Sequence, residues 1–229
     1  APAKLYLKFL ESNKVEFDLF SNLRGVELSY LPIGWVKEMN GEAELKVSGA
    51  IGNEFVLKNI SLSSPDLVLV GSAVQEKDEN FMLNFEKLAL EDVFDLQLII
   101  EKDGVLEVTG GELDMQEFIK LPLVKNSSKK SSPIIIYLDE LKLYEEQVIT
   151  GFTAALEATG KGKFSGSLND LASFDGVLQR VEEGYSIRAN SNNAGSFIRA
   201  LGAAKAADGG TAQLNLRHLK NSSGMQGKL

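Results

Sequence analysis

The stretch Lys14-Val15-Glu16-Phe17-Asp18-Leu19 decides the fold. Charged and apolar residues alternate with period two. Successive side chains of a strand point to opposite faces, so this run reads as a strand with one apolar face. Working outward, Leu5, Leu7 and Phe9 alternate with Lys4, Tyr6 and Lys8. Then come Ala43, Leu45 and Val47, followed by Phe55 and Leu57. Phe81, Leu83 and Phe85 alternate with Asn80, Met82 and Asn84. In the second half Phe152, Ala154 and Leu156 repeat the pattern, as do Tyr185, Ile187 and Ala189, and Ala212, Leu214 and Leu216. Leu67 to Val70, and Leu96 to Ile100 around Gln97, are apolar on both faces and read as the more covered strands.

Turn chemistry separates these runs. Asn40-Gly41, Gly49 to Asn53, Asp103-Gly104, Gly110-Gly111, Gly160 to Gly162 and Asp175-Gly176 suit hairpin turns or bulges that need φ > 0. Short strands with frequent turns predict an antiparallel meander. Two segments read as helix. Asp114 to Lys120 has an N-cap at Asp114 and Glu117 at capping-box spacing. The second runs from Asn193, its cap, to about Ala204, with Phe197, Ile198 and Leu201 as an apolar stripe. Pro122 to Pro133 is polar, with Pro at both ends, and reads as a surface loop or linker. Its lysines, Lys125, Lys129 and Lys130, are solvated charge rather than a lipid-binding patch.

Composition limits the chemistry. The chain has 229 residues, Lys plus Arg 24, Asp plus Glu 32, a net charge of −8, one His and no Cys. The absence of Cys excludes disulfides, thiolate metal sites and cysteine nucleophiles. One imidazole, His218, excludes the two-His zinc helix. The acidic balance, with pI near 4.9, argues against a nucleic-acid partner, which requires a positive field. No apolar run reaches the roughly 20 residues of a membrane-spanning helix. At 44% hydrophobic and 24% charged residues the chain is globular in composition, not disordered.

Motifs for catalysis are missing. Thr159-Gly160-Lys161-Gly162-Lys163 lacks the Walker spacing and reads as a hairpin turn. No Gly-x-Ser-x-Gly elbow exists, and nothing local brings Ser and an acid to His218. The pairs Asp139-Glu140, Glu145-Glu146 and Glu182-Glu183 face opposite sides of their strands, so neither acid of a pair can flank one bond with the other. Glu76 to Glu79 lacks the glycine of a calcium loop. Asn59, Asn126 and Asn221 each begin an N-x-S sequon, a tripeptide too short to assign glycosylation. No catalytic residue, cofactor site or metal site is expected, and the chain reads as non-enzymatic.

The stretch Ser191-Asn192-Asn193-Ala194-Gly195-Ser196-Phe197-Ile198-Arg199-Ala200-Leu201-Gly202, followed by Gly209-Gly210-Thr211-Ala212-Gln213-Leu214, resembles a signature of the AsmA-like superfamily. In that family a strand ends in a D-A-G-x-x-L-R-x-L-G helix and G-G-x-L-x-L opens the next strand. Here Asn193 replaces the usual Asp and keeps the capping role. Leu31 to Trp35 with Gly41 to Leu45, and Gly110 to Ile119, resemble further parts of the family's repeat. The resemblance spans residues 26–229 and is specific over 191–216.

The resemblance implies a periplasmic piece of a large AsmA-like protein, of the bridge-like lipid-transfer kind, anchored in the inner membrane of a Gram-negative cell. It implies curved sheets around an apolar groove that carries phospholipid between inner and outer membranes. Envelope proteins are possible partners. The second implied role is a periplasmic scaffold or chaperone that pairs strands with outer-membrane proteins. Met225 to Leu229 looks like a strand cut short, so the chain reads as an excerpt of a longer protein.

The expected architecture is mainly β: an elongated, curved, twisted antiparallel sheet, groove-like, with two short helices. Its expected parts are a sheet unit over residues 1–121, the linker 122–133, and a second unit over 134–229 with the helix near 193–204. Expected groove residues, in contact with phospholipid acyl chains, are Leu45, Val47, Phe55, Leu57, Phe81, Leu83, Phe85, Phe152, Leu156 and Ile187.

Overall fold

The computed structural model describes the whole chain except residues 1, 12, 31–34, 77–78, 122–131, 145–146, 182–183, 201–206, 208, 220–224 and 229. It is mainly β, as the alternation predicts. The strands are β1 (Ala3–Phe9), β2 (Val15–Ser21), β3 (Leu28–Tyr30), β4 (Trp35–Lys37), β5 (Glu44–Ile51), β6 (Phe55–Ser63), β7 (Leu67–Gln75), β8 (Met82–Leu90), β9 (Phe94–Ile100) and β10 (Leu106–Asp114). After the short helix α1 (Met115–Phe118) come β11 (Ile134–Tyr144), β12 (Gln147–Leu156), β13 (Gly162–Leu168), β14 (Ala172–Val181) and β15 (Gly184–Ser191). Helix α2 (Ala194–Ala200) precedes β16 (Ala212–Leu219) and β17 (Met225–Lys228).

The contacts divide the chain into two units, Ala1–Thr109 with Glu117–Ser128, and Gly110–Gln116 with Lys129–Leu229. Strand β10 gives its first residues to one unit and its remainder to the other. The expected linker residues 122–131 lie outside the described residues.

In the first unit the strand order is β1-β2-β5-β6-β7-β8-β9-β10, and β3 pairs with β4 as a separate hairpin. In the second the order from β11 to β17 follows the sequence. The registers from β1 to β9, and from β11 to β17, are antiparallel. Bulges recur in the middle of neighbouring strands: at Ser48/Gly49, between Leu57 and Ile60, at Val70/Gly71, and between Phe85 and Leu88. Each bulge bends its strand and increases the local twist, which curves the sheet along one line.

Local chemistry explains the connections. Leu168-Asn169-Asp170-Leu171 closes the β13–β14 hairpin with a bond from Leu171 N–H to the Leu168 carbonyl. Asn169 and Asp170 both have positive φ, 50° and 55°. That is the type I′ geometry whose twist matches the flanking strands. The Asn169 side chain is fixed by the Val148 N–H, which donates to its Oδ1 at 2.8 Å. Helix α1 is a single turn, shorter than the expected Asp114–Lys120. Its cap is present, with Gln116 N–H donating to Asp114 Oδ1 at 2.8 Å.

Several turn expectations are corrected: Gly41, Gly49 and Gly52 have no positive φ, and Gly110-Gly111 lies inside β10, where Gly111 has φ 103°. Asp175-Gly176 lies inside β14, with Gly176 opposite Phe164 and Ala189. Its glycine serves close approach, since a Cβ there would stand 2.3 Å from Phe164 Cζ and 2.6 Å from the Arg188 carbonyl oxygen. Gly160, by contrast, has φ +80° and closes the hairpin between β12 and β13, as expected.

A candidate apolar binding face in each unit

Opposed residues of an antiparallel pair point to the same face, so the registers place every candidate. In the first unit three rows cross the sheet. One runs Ser21, Leu45, Leu62, Leu69, Leu88, Leu96. The next runs Leu5, Leu19, Val47, Ile60, Gly71, Phe85, Leu98. The third runs Leu7, Phe17, Gly49, Leu57, Ala73, Leu83, Ile100. Beyond it lie Phe9, Val15, Ile51 and Phe55, the last stacked on Phe17 at 6.4 Å and edge-on to Phe81 at 5.9 Å. The first-unit candidates Leu45, Val47, Phe55, Leu57, Leu83 and Phe85 therefore share one face, and Phe81 joins it through Phe55.

The opposite face of this sheet is mixed, with charged residues beside apolar ones: one of its rows reads Glu16, Ala50, Val56, Val74, Met82. Lys58 pairs with Glu16 at 3.1 Å and Lys87 with Asp95 at 2.8 Å. The Lys58 ammonium holds the Glu16 carboxyl below its usual range. At the rim, Lys102 bridges Glu76 and Glu79, both at 2.6 Å, and its ammonium is held strongly protonated by them.

The second unit repeats the arrangement. Ile134, Leu156, Gly162, Leu178 and Ile187 form one row, and Ile136, Ala154, Phe164, Gly176, Ala189 and Leu214 the next. Phe152 sits on this face opposite Leu138. The reverse face carries Thr153, Ser165, Asp175, Asn190 and Gln213, with the Thr153 and Ser165 hydroxyls 2.7 Å apart.

Each unit covers one end of its apolar face. In the first the β3–β4 hairpin carries Trp35, which is buried, as are Leu23, Ala43, Leu67, Leu90 and Phe94. Lys37, also buried, donates from Nζ to the carbonyls of Val26 at 2.8 Å and Glu38 at 2.9 Å. Asp66 sits beside this plug. Desolvation raises its pKa, but the Ser64 hydroxyl, which donates to Asp66 Oδ1 at 2.7 Å, and the backbone N–H groups of Asp66 and Leu67 outweigh that and hold it below the usual range. In the second unit α2 is the plug. Asn193 caps it, accepting from Ser196 N–H at 3.0 Å, and Phe197 is buried against Phe174. Sequence reasoning found α2 and missed the Trp35 plug, whose β4 is three residues long and has no periodicity to read.

Away from the plugs the face is only half covered. Nine of the ten candidates are half-buried, Phe81 is exposed, and none belongs to the buried core. Among the described residues no large side chain is less than 2% exposed.

Other expectations fall differently. Glu145, Glu146, Glu182 and Glu183 lie outside the described residues, as does the His218 side chain. Asp139 turns its carboxylate into its own sheet, accepting from Gly111 N–H at 2.9 Å. Among the described residues no group of three His, Cys, Asp or Glu side chains is placed to hold a metal, and no helix is long and apolar enough to cross a membrane. Compared with known proteins, the chain matches no family model, no curated protein and no solved structure.

Proposed function

We propose that the chain is a segment of a lipid-conducting groove, in which acyl chains lie along the apolar rows and headgroups stay at the polar rim. One observation carries this reading. The ten candidates share one face within each unit, yet none is buried. A face of this extent, rimmed by charge, is characteristic of a binding surface. Each methylene moved from water onto such a face gains about 0.8 kcal/mol. The rows stay apolar from strand to strand while side-chain size varies, as from Gly71 to Phe85, so a chain displaced by one strand again meets an apolar surface. That suits sliding rather than tight retention. The periplasmic setting, the inner-membrane anchor and transfer between the two membranes are part of the proposal and rest on the resemblance over residues 191–216.

The test is native mass spectrometry of the purified chain, with bound lipid extracted and identified, joined to photo-crosslinking from positions 83 and 85. Phospholipid should be recovered, and both positions should crosslink to it. A folded chain that carries no lipid and crosslinks none overturns the reading.

A further inference from the structure

The reverse face of the second unit carries a run of short polar side chains. One row across the strands reads Thr153, Ser165, Asp175, Asn190 and Gln213. In the row beside it Ser167 stands opposite Ser173, and Asn192 N–H donates to the Ser173 carbonyl at 3.3 Å. Ser173, Asp175, Asn190, Asn192, Thr211 and Gln213 together line an open cleft of about 560 Å³ across β14, β15 and β16. All six are exposed. Each offers a hydroxyl, an amide or a carboxylate, and none is a cation. Lys163 and Arg188 stand in the row beyond, on the far side of Asp175 from Ser173. In the first unit, by contrast, long side chains pair across the reverse face, Lys58 with Glu16 and Lys87 with Asp95.

The array is partly ordered before any ligand arrives. The Thr153 and Ser165 hydroxyls lie 2.7 Å apart, and Gln213 Nε2 donates to Asn190 Oδ1 at 3.4 Å. Among the described residues the side chains of Ser173, Asp175, Asn192 and Thr211 have no partner, so their polar groups are open to the cleft. Short side chains also give up little rotamer freedom when a ligand fixes them, whereas lysine and glutamate give up much.

We propose that this cleft binds a neutral polysaccharide chain lying across the strands. Charge and hydrogen-bonding capacity both select that class. The Asp175 carboxylate accepts from adjacent sugar hydroxyls and repels anions, while the amides of Asn190, Asn192 and Gln213 donate and accept. Spacing agrees: strands stand about 4.8 Å apart and β-1,4-linked pyranose units repeat at about 5 Å, so each ring meets one strand. Three rings fill the cleft from β14 to β16, and Ser165 and Thr153 extend the row by two more. The site lies on the side of the sheet away from the apolar rows, so it is independent of the lipid reading.

The intact chain is titrated by isothermal calorimetry with cellopentaose, with the β-1,4 N-acetylglucosamine pentamer, and with the corresponding disaccharides. At least one pentamer should bind, about tenfold more tightly than its disaccharide, because the added rings make added hydrogen bonds. The β-1,4 glucuronic acid pentamer, of the same length and linkage but anionic, should bind about tenfold more weakly than the neutral chain. Asp175→Ala should weaken neutral binding about tenfold, the loss of one charged hydrogen bond, and Gln213→Ala about threefold. Both should keep the wild-type circular dichroism spectrum, and if Asp175→Ala does not, Gln213→Ala decides. Lys163→Gln, outside the cleft, should leave neutral binding unchanged. The proposal is overturned if neither pentamer binds, if pentamer and disaccharide bind alike, if the folded cleft variants keep full affinity, or if the anionic pentamer binds as tightly as the neutral ones.

Discussion

The ring of Phe164 lies against the bare Cα of Gly176, leaving no room for a methyl group. A Cβ on Gly176 would stand 2.3 Å from Phe164 Cζ. Gly49 beneath Phe17 and Gly71 beside Phe85 repeat the arrangement in the first unit, where a Cβ would meet ring carbons at 3.0 Å. Phenylalanine rings are thus laid down on the apolar faces over glycines of the next strand. Gly176→Ala should destabilise the second unit by about 2–3 kcal/mol through overpacking. Phe164→Leu in the same chain should recover part of that loss. Urea midpoints with unchanged slope are the measurement.

The plug and the open face should respond differently to truncation. Phe197 is 9% exposed and packs on Phe174, whereas Phe81 is 39% exposed at the rim. Phe197→Ala should cost about 3 kcal/mol, in the range for buried aromatics. Phe81→Ala should cost about 1 kcal/mol, since much of its surface stays in water. Thermal unfolding of the two variants, side by side, gives the comparison.

Asp66 should govern the acid limb of stability near the Trp35 plug. Its folded pKa lies below the unfolded value of 3.8. The folded state therefore holds fewer protons, and the stabilisation is fully present above the unfolded pKa. It is lost as pH falls from about 4 through the folded pKa. Asp66→Asn should be less stable than wild type at pH 6 and should show a shallower decline below pH 4. Trp35, the single tryptophan, reports this locally by its fluorescence.

The triad of Lys102 with Glu76 and Glu79 should contribute almost nothing measurable. Its distances are short, 2.6 Å, but all three side chains are substantially exposed. Exposed pairs are screened and give up side-chain entropy. Lys102→Met should leave the urea midpoint unchanged within error at 0.15 M salt.

Much of this was legible in the chain. Lys14 to Leu19 carries its face assignment in its own alternation, and Asn193 announces α2 because a side-chain oxygen before an apolar stripe has few other uses. Asp175-Gly176 reads as a turn in the sequence because Asp-Gly is a local turn signal. Glycine serves both positive φ and close approach, and only the neighbouring Phe164 tells them apart. The Asn169-Asp170 turn is faint in the sequence because Asp stands where glycine gives the stronger signal. The half-covered state of Leu83 and Phe85 was not legible at all. Periodicity says which face a residue is on, and nothing about what lies above that face.

The strand order has a kinetic consequence. Apart from β2, which bridges to β5 over the β3–β4 hairpin, the described registers join strands that are neighbours in sequence. Each added strand therefore closes only a short loop before its hydrogen bonds form. Folding within each unit should propagate hairpin by hairpin, in the manner of a repeat protein, and faster than in a β-sandwich whose distant strands must first meet. A defect such as Gly176→Ala should then stall growth locally, leaving the strands on either side free to form.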